Sequence, residues 1–371
     1  VLFWSKNLPI EKQLLSYRGT SFPKEIDLHD VSDVDWALEF GKPLIPASVL
    51  SLHDSHDLSL FNGYEMTHHL KFAPQIETYA DLLRGYEWQQ KDPKRRSFLP
   101  RSTERKWTWY RLFAKGRQRL NFIRMGAALV GDQPTMTEWQ MVLPNAPFAA
   151  VLGNPVWQSH TPSEQGEFFA DVLGLSCLRI AIREEEWDQA FPGLEKLGLR
   201  AAAVTSPLKK KAAAIMGSIS SDRVRALKSA NALIFREDRK WHTHNTDEGG
   251  FQEMATLYKT DEPTVVWGGG GTLSMLKSVW PSASFYSVRA DAPRENEQPI
   301  NDPKVLIWAA GPKDTAPRSL STSKLDLVID LNYREDSLAR EYALKTGAKY
   351  VSGLEFFRAQ ARLQREFWRQ P

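Results

Sequence analysis

Two observations in the sequence predict an α/β protein. From about Phe148 onward, apolar runs of strand length alternate with segments of helical periodicity, and a glycine cluster at Gly268–Gly271 directly follows the apolar run TVVW. Strands alternating with helices imply largely parallel sheets, whose ligands gather beyond the carboxyl ends of the strands.

Taken in order, FAAVLGN is a short apolar strand, and PSEQGEFFADVLGL repeats Phe168, Phe169, Val172 and Leu173 at helical spacing. LRIAIRE is a strand, WDQAFPGLEKLG a helix, LRAAAVTSP a strand and LKKKAAAIMG a short helix; ANALIFREDRKWHTHN reads as a hairpin turning at REDRK. A second α/β unit opens with PTVVWGGGGTLSMLKSVW as strand, turn and helix. It continues through the strands ASFYSVRA, KVLIWAAG and KLDLVIDLNY, the helix EDSLAREYALKTG and the strand KYV, and ends in the helix GLEFFRAQARLQREFW. Before Phe148 the pattern is sparser: PKEIDLHD and KPLIPASVLSLHDS suit strands, ETYADLLRGYEWQQK a helix, and RLNFIRMGAAL contains a further strand. Composition changes at LPNAPFAAVLGNP, so the expected domains are 1–147, 148–250 completed by a C-terminal helix at 352–371, and 251–351.

Length and composition narrow the function classes. The 371 residues suffice for two or three domains with cores of their own. No apolar run approaches the ~18 to 20 residues that cross a bilayer, and VLFWSKNLPIEKQ lacks a signal-peptide pattern, so no membrane role is expected. Cys177, the one cysteine, excludes an intramolecular disulfide and a cysteine-cluster metal site; a reducing, cytoplasmic setting and no metal are expected. Val1 in place of Met leaves open whether residues precede it. A net charge of +3 argues for neither nucleic acid nor membrane. Basic residues do crowd between Lys91 and Arg119, with aromatics interleaved in KWTWYRLFAKGRQRLNF. The expected reading is a solvated helix face over aromatic packing, with nucleic acid, lipid or an acidic partner as alternatives.

Chemistry enters at the glycine cluster. Gly268, Gly270 and Gly271 permit a tight turn and a close approach of backbone to a pyrophosphate, and the following helix offers its N-terminal N–H groups to the negative charge. The match to G-x-G-x-x-G/A is partial, because Leu273 holds the third position. Past the second strand, Arg289 stands in SVRAD with no acidic residue before it, which favours the 2′-phosphate of NADP over the free ribose of NAD; Asp291, two residues on, weakens that preference. In the first unit Lys209 follows a strand end in VTSPLKK, and Asp247 stands in HNTDEGG, where it also suits a helix cap. Brought together, the carboxylate would hold the ammonium charged and oriented, and the ammonium would give a proton to a carbonyl oxygen receiving hydride.

From about residue 148 to the end, these residues resemble shikimate dehydrogenase, motif after motif and in the same order. GNPVWQSHTP is similar to the family's G-N/D-P-x-x-H-S-x-S-P, which implies that Ser159 and Thr161 bind the substrate carboxylate. VTSPLK resembles N-V-T-x-P-x-K, implying Thr205 as a substrate contact and Lys209 as the catalytic lysine. SANAL is similar to A-V-N-T-L and implies Asn231 on the ring hydroxyls, while HNTDEGGF resembles G-x-N-T-D-x-x-G-F and implies Asp247 as partner of the lysine. VVWGGGGTL resembles the G-A-G-G turn, DLNY implies Tyr333 at the substrate, and the closing helix implies Gln360 there. The resemblance therefore implies NADP-dependent reduction of the small molecule 3-dehydroshikimate to shikimate, on a substrate domain joined to a Rossmann domain. Departures fall at Gln158, Thr161, Gln165, Gly166 and Ala203, and in WAAGP at 308–312. They alter the pocket and the nicotinamide wall, and leave quinate as an alternative substrate and a non-catalytic NADP- or shikimate-binding module as an alternative role.

The N-terminal part resembles type I 3-dehydroquinate dehydratase, which precedes shikimate dehydrogenase in fused bifunctional proteins. VLSLHDSHD is similar to the strand bearing the catalytic His and implies His53; HHLKFAP is similar to the strand bearing the Schiff-base lysine and implies Lys71. RMGAALVG resembles the M-G-x-x-G turn, but DQPT replaces the Ser-Arg expected after it. A closed β/α barrel takes at least ~200 residues, more than residues 1–147 supply. An incomplete, inactive barrel-like domain is expected, with a working bifunctional enzyme as the alternative.

Overall fold

The computed structural model describes residues 14–15, 34–39, 42–43, 48–53, 55–65, 68–124, 131–258, 262–311, 315–320, 324–332 and 336–370. The chain divides into two compact units, one of residues 1–162, 166–200 and 206–208, the other of 163–165, 201–205 and 209–371.

In the first unit the strands β1 (Leu14–Leu15), β2 (Val34–Glu39), β3 (Lys42–Pro43), β4 (Ser48–Leu52), β5 (His68–Phe72) and β6 (Arg96–Phe98) form one sheet in the order β1-β2-β4-β5-β6, with β3 paired to β2. The β4–β5 and β5–β6 pairs are parallel, and the helix Tyr79–Gln90 makes the crossover between β5 and β6. That helix starts where the Thr78 side chain accepts the Asp81 N–H, an N-cap that satisfies an otherwise orphaned donor. β7 (Phe148–Gly153) and β8 (Ser176–Ala181) pair in parallel across a connection that includes the helix Thr161–Leu173.

Aromatic rings fill the core of this unit. Phe72 stacks on Phe98 with ring centroids 5.5 Å apart, Phe98 meets Tyr110 edge-on at 5.3 Å, and Phe113 meets Phe148 at 5.6 Å. The basic aromatic run is thus not a solvated face: every residue of its helix, Thr108–Phe113, is buried. Arg111 is tolerated there because its guanidinium donates to the carbonyls of Pro100 and Leu99, at 3.0 and 3.2 Å. A strand within RLNFIRMGAAL also fails to form over residues 119–123. The N–H groups go elsewhere, Leu120 N to Ser97 Oγ at 3.1 Å and Arg124 N to Pro134 O at 2.8 Å, and Arg124 makes only an isolated bridge with Thr135. Residues 125–130 and PKEIDLHD lie outside the described residues.

The second unit holds two strand systems. β9 (Leu199–Val204) pairs antiparallel with β11 (Ala232–Phe235), which forms the expected hairpin with β12 (Trp241–His244); β10 (Ile219–Ser220) joins β12 in parallel. The other sheet runs β15-β14-β13-β16-β17-β18, from β13 (Thr264–Gly268), β14 (Ser284–Ser287), β15 (Ala292–Pro293), β16 (Val305–Ala309), β17 (Leu327–Asp330) and β18 (Lys349–Val351). All its pairs are parallel except that of β15 with β14. Strand residues alternate between two cores: Val266, Phe285, Ile307 and Ile329 pack with Phe251, Met254 and Leu276, whereas Val265, Trp267, Leu306, Trp308 and Val328 pack with Ala339 and Tyr342. Burial on both faces is what makes these strands read as continuous apolar runs. Among the described residues no helix is long and apolar enough to cross a membrane.

His69, in β5, is 2% exposed and hydrogen-bonded through Nε2 to Ser97 Oγ at 2.8 Å. Burial, and then the positive charge of Arg119, push its imidazole down to about 4. The unfolded chain takes up this proton near the ordinary histidine value of about 6.5, whereas the folded chain does so only near 4, so the contribution to stability is complete above the first value and is lost as pH falls toward the second. The urea midpoint of the intact protein is expected to drop between pH 6.5 and 4, and His69→Gln, which can still bond Ser97, to flatten that drop; equal slopes would refute the assignment.

Candidate active site

Asp247 opens the helix Asp247–Leu257 immediately after the β11–β12 hairpin, and is 2% exposed. Its Oδ2 receives Lys209 Nζ at 2.6 Å, and its Oδ1 receives Asn231 Nδ2 at 2.8 Å and the amide of Gln360. The backbone N–H of Asp247 donates to Asn245 Oδ1 at 3.0 Å, so the preceding asparagine braces the turn. Asn231 is held in turn by Thr246, whose N–H donates to Asn231 Oδ1 at 2.9 Å while its hydroxyl oxygen accepts Asn231 Nδ2 at 3.0 Å. Lys209 opens the helix Lys209–Ala213, and its side chain stays 27% exposed, so the ammonium is anchored at one end and open to a ligand. The ion pair fixes the direction in which the Lys209 ammonium points.

The structure brings four of the expected residues together: Lys209, Asn231, Asp247 and Gln360. Thr205 is half-buried just past β9. In the first unit Ser159 and Thr161 are mutual neighbours, Ser159 Oγ donating to Thr161 Oγ1 at 3.1 Å, and Arg179 Nη2 fixes the Ser159 carbonyl at 3.1 Å. Tyr333 lies outside the described residues. His53, half-buried beyond β4, accepts Arg101 Nη2 on its carbonyl at 2.6 Å, and Lys71, buried in β5, sits with Nζ 4.6 Å from the Phe122 ring centroid.

Motif reading missed Gln364 and the role of Gln165. Gln364 Nε2 donates to the Asn231 carbonyl at 3.0 Å, and Gln165 Nε2 to the Ala361 carbonyl at 3.0 Å. The signal for Gln364 was its spacing, one helical turn after Gln360, which puts both amides on one stripe of the helix Gly353–Arg369. Gln165 sits where the resemblance expects His and takes up a backbone carbonyl instead.

At the glycine turn, φ is +98° at Gly268, +107° at Gly269 and +38° at Gly270, and Gly270–Thr272 form one turn of 3₁₀ helix that includes Gly271. A Cβ on Gly268 would lie 2.8 Å from Ala310 Cα, because β13 and β16 close on each other there, whereas a Cβ on Gly270 would meet nothing within 4 Å. The second position therefore faces the open space. Leu273, at the position of the third glycine, packs beside Gly269 and against the sheet core, so a side chain fills the space that a glycine would leave for close approach of helix and strand. Arg294 Nη2 donates to the Gly268 carbonyl at 2.9 Å and pins the turn from the far side of β14. Arg289 is exposed past β14, and Asp291 is engaged by Arg318 N at 3.1 Å and by Ser319 Oγ at 2.8 Å, so the carboxylate that counted against NADP is occupied by the 318–319 loop.

A parallel sheet whose strand order reverses between β14-β13 and β16, with a glycine turn at that reversal, defines the Rossmann class. The particular fold is that of shikimate dehydrogenase: the crystal structure of the Aquifex aeolicus enzyme covers 61% of this chain and 94% of its own, with a TM-score of 0.50 at 20% identity. No family model matches the chain. It is 31% identical over 132 residues to a shikimate dehydrogenase (NADP(+)) of Cereibacter sphaeroides, which is 34% of this chain and 47% of that protein. A shikimate dehydrogenase (NADP(+)) of Prochlorococcus marinus is 31% identical over 134 residues, 35% and 46% of the two chains. The chain spans about half the length of the curated relatives it matches.

The turn makes a stability prediction. Gly270→Ala is expected to cost about 1–2 kcal/mol for its left-handed backbone, and Gly268→Ala more, because Ala309–Ala310 must also move. Urea denaturation monitored by tryptophan fluorescence would show this difference, and equal losses would contradict the close approach.

Proposed function

We propose that the chain is a shikimate dehydrogenase, reducing 3-dehydroshikimate to shikimate with NADPH. The observation that carries this reading is the buried Asp247 carboxylate, which gathers Lys209, Asn231 and Gln360. On this reading residues 251–351 hold the dinucleotide, and 148–250 with 352–371 hold the substrate, in a cytoplasmic protein. The residues present suit NADP: Gly270 leaves room for a pyrophosphate, Arg289 is free of burial and suits a 2′-phosphate, and Asp291 is engaged elsewhere. When bound, the cofactor supplies the hydride to the C3 carbonyl.

The chain's own residues manage the rest. Lys209 gives its proton to the carbonyl oxygen as it gains negative charge, and Asp247 holds the side chain in the orientation for that transfer. Asn231 spends both amide protons on Asp247 and Thr246, so toward the substrate hydroxyls it offers only its Oδ1, whereas Gln360, with one N–H directed to Asp247, keeps a second N–H and its Oε1 for them. Ser159 and Thr161 take the substrate carboxylate, with Thr205 and Tyr333 as further contacts. NADPH oxidation is expected with 3-dehydroshikimate and to fall by about 10²–10⁴ in kcat for Lys209→Ala. A matrix of dehydroshikimate and dehydroquinate against NADPH and NADH settles substrate and cofactor. Binding of NADP or shikimate without turnover would make the protein a binding module instead.

We read the N-terminal segment as a dehydratase-derived domain without activity. The parallel strands β4, β5 and β6 and the buried Lys71 support the derivation, since a β/α barrel is built from such strands. Borohydride reduction in the presence of 3-dehydroquinate is expected to leave Lys71 unmodified; a stable adduct there would make the enzyme bifunctional.

A further inference from the structure

The cations of the N-terminal unit take no part in that chemistry. An open cleft of ≈ 640 Å³ lies between the helix Tyr79–Gln90 and the turn after Phe113, and its lining includes Tyr86, Lys94, Arg117, Arg119 and Asn145. Arg117 is fixed in the wall: Nη1 donates to Phe113 O at 2.7 Å, Nη2 donates to Ala146 O at 2.5 Å, and the guanidinium lies 4.0 Å from the Phe113 ring centroid. Burial lowers its pKa, and the groups acting against that are the hydroxyls of Tyr86 and Tyr110, not a carboxylate. Neighbouring Lys115 likewise spends its ammonium on the carbonyls of Trp139 and Val142, at 2.7 and 2.6 Å.

Of the acids on the flanking segments, Glu87 pairs with Lys196 at 2.5 Å, and Asp92 accepts the neutral Arg95 N–H at 3.1 Å, so its charge stands against the three cations Lys94, Arg117 and Arg119 of the lining. Lys94 and Arg119 are exposed where they line the cleft. Partly buried cations held by carbonyls leave a positive potential that an anion can offset, and a site with several cations spread over such a volume favours a ligand with several negative charges. Arginine's planar fork of donors matches phosphoryl oxygens.

We propose that this cleft binds the di- or triphosphate group of a small molecule. Lys94 and Arg119 meet the outer phosphates, Arg117 supplies its unspent N–H groups from the wall, and Tyr86 lies where a base would rest. Calorimetry of the full chain with sodium tripolyphosphate and with ATP tests this, using the wild type, Lys94→Glu/Arg119→Glu and Arg289→Glu. Both ligands are expected to bind the wild type, more weakly as salt is raised. The double variant, with both changes at exposed positions and its circular dichroism unchanged, is expected to bind at least about tenfold more weakly, as two reversed charges require. Arg289→Glu is expected to retain that charge-sensitive binding, separating the cleft from the glycine turn. Tighter binding of ATP than of tripolyphosphate identifies a nucleotide as the source, and equal binding identifies the phosphate chain alone. Absent binding of both ligands, or equal affinity for wild type and double variant, overturns the proposal.

Discussion

A carboxylate buried as deeply as Asp247 has given up its water, and a cation and hydrogen-bond donors must take the place of that water. The second unit meets that demand from distant points of the chain: Lys209 stands 38 residues before it, Asn231 16 before and Gln360 113 after. The strand registers make this convergence geometric. Ala232 pairs with Ala203 on one side and His244 on the other, so the end of β9, the start of β11 and the end of β12 share one edge. A position at the first residue of a helix adds unpaired N–H dipoles favourable to negative charge. Loss of any partner would leave the carboxylate undercompensated in a site with little water, which is why the neighbouring amides brace one another through Thr246 and Gln364.

The glycine turn sets a packed position beside an open one within one short motif. Gly268 is required by the approach of β16 and Gly270 leaves open space, a distinction that the letters G-G-G-G do not carry. Arg294 and Leu273 stiffen the same turn from opposite sides, one through a carbonyl and one through packing. In the N-terminal unit the dominant constraint is different. Aromatic rings close the core, and the arginines and lysine among them are tolerated because loop carbonyls accept their N–H groups.

Much of the architecture after Phe148 was legible because both periods leave a local trace. Strands such as VVWG and VLIW read as unbroken apolar runs, and the closing helix shows its amphipathic stripe. The hairpin at REDRK was equally plain, since its turn residues separate alternating apolar positions. Less was legible earlier. The helix Thr108–Phe113 is too short for its periodicity to distinguish burial on one side from burial all round, so its charged neighbours suggested solvent.

The sequence by itself determined the succession of elements from 148 onward, the glycine turn after β13 and the residue types available to hold a proton and a dinucleotide. Only the tertiary structure decided that Lys209 and Asp247 touch, that Gln364 supports Asn231, that Gln165 bonds a carbonyl and that Asp291 is engaged by a neighbouring loop. The physical reason is common to these cases. A hydrogen bond between residues remote along the chain depends on distances of a few tenths of an ångström set by packing, and such distances leave no periodic mark in the sequence.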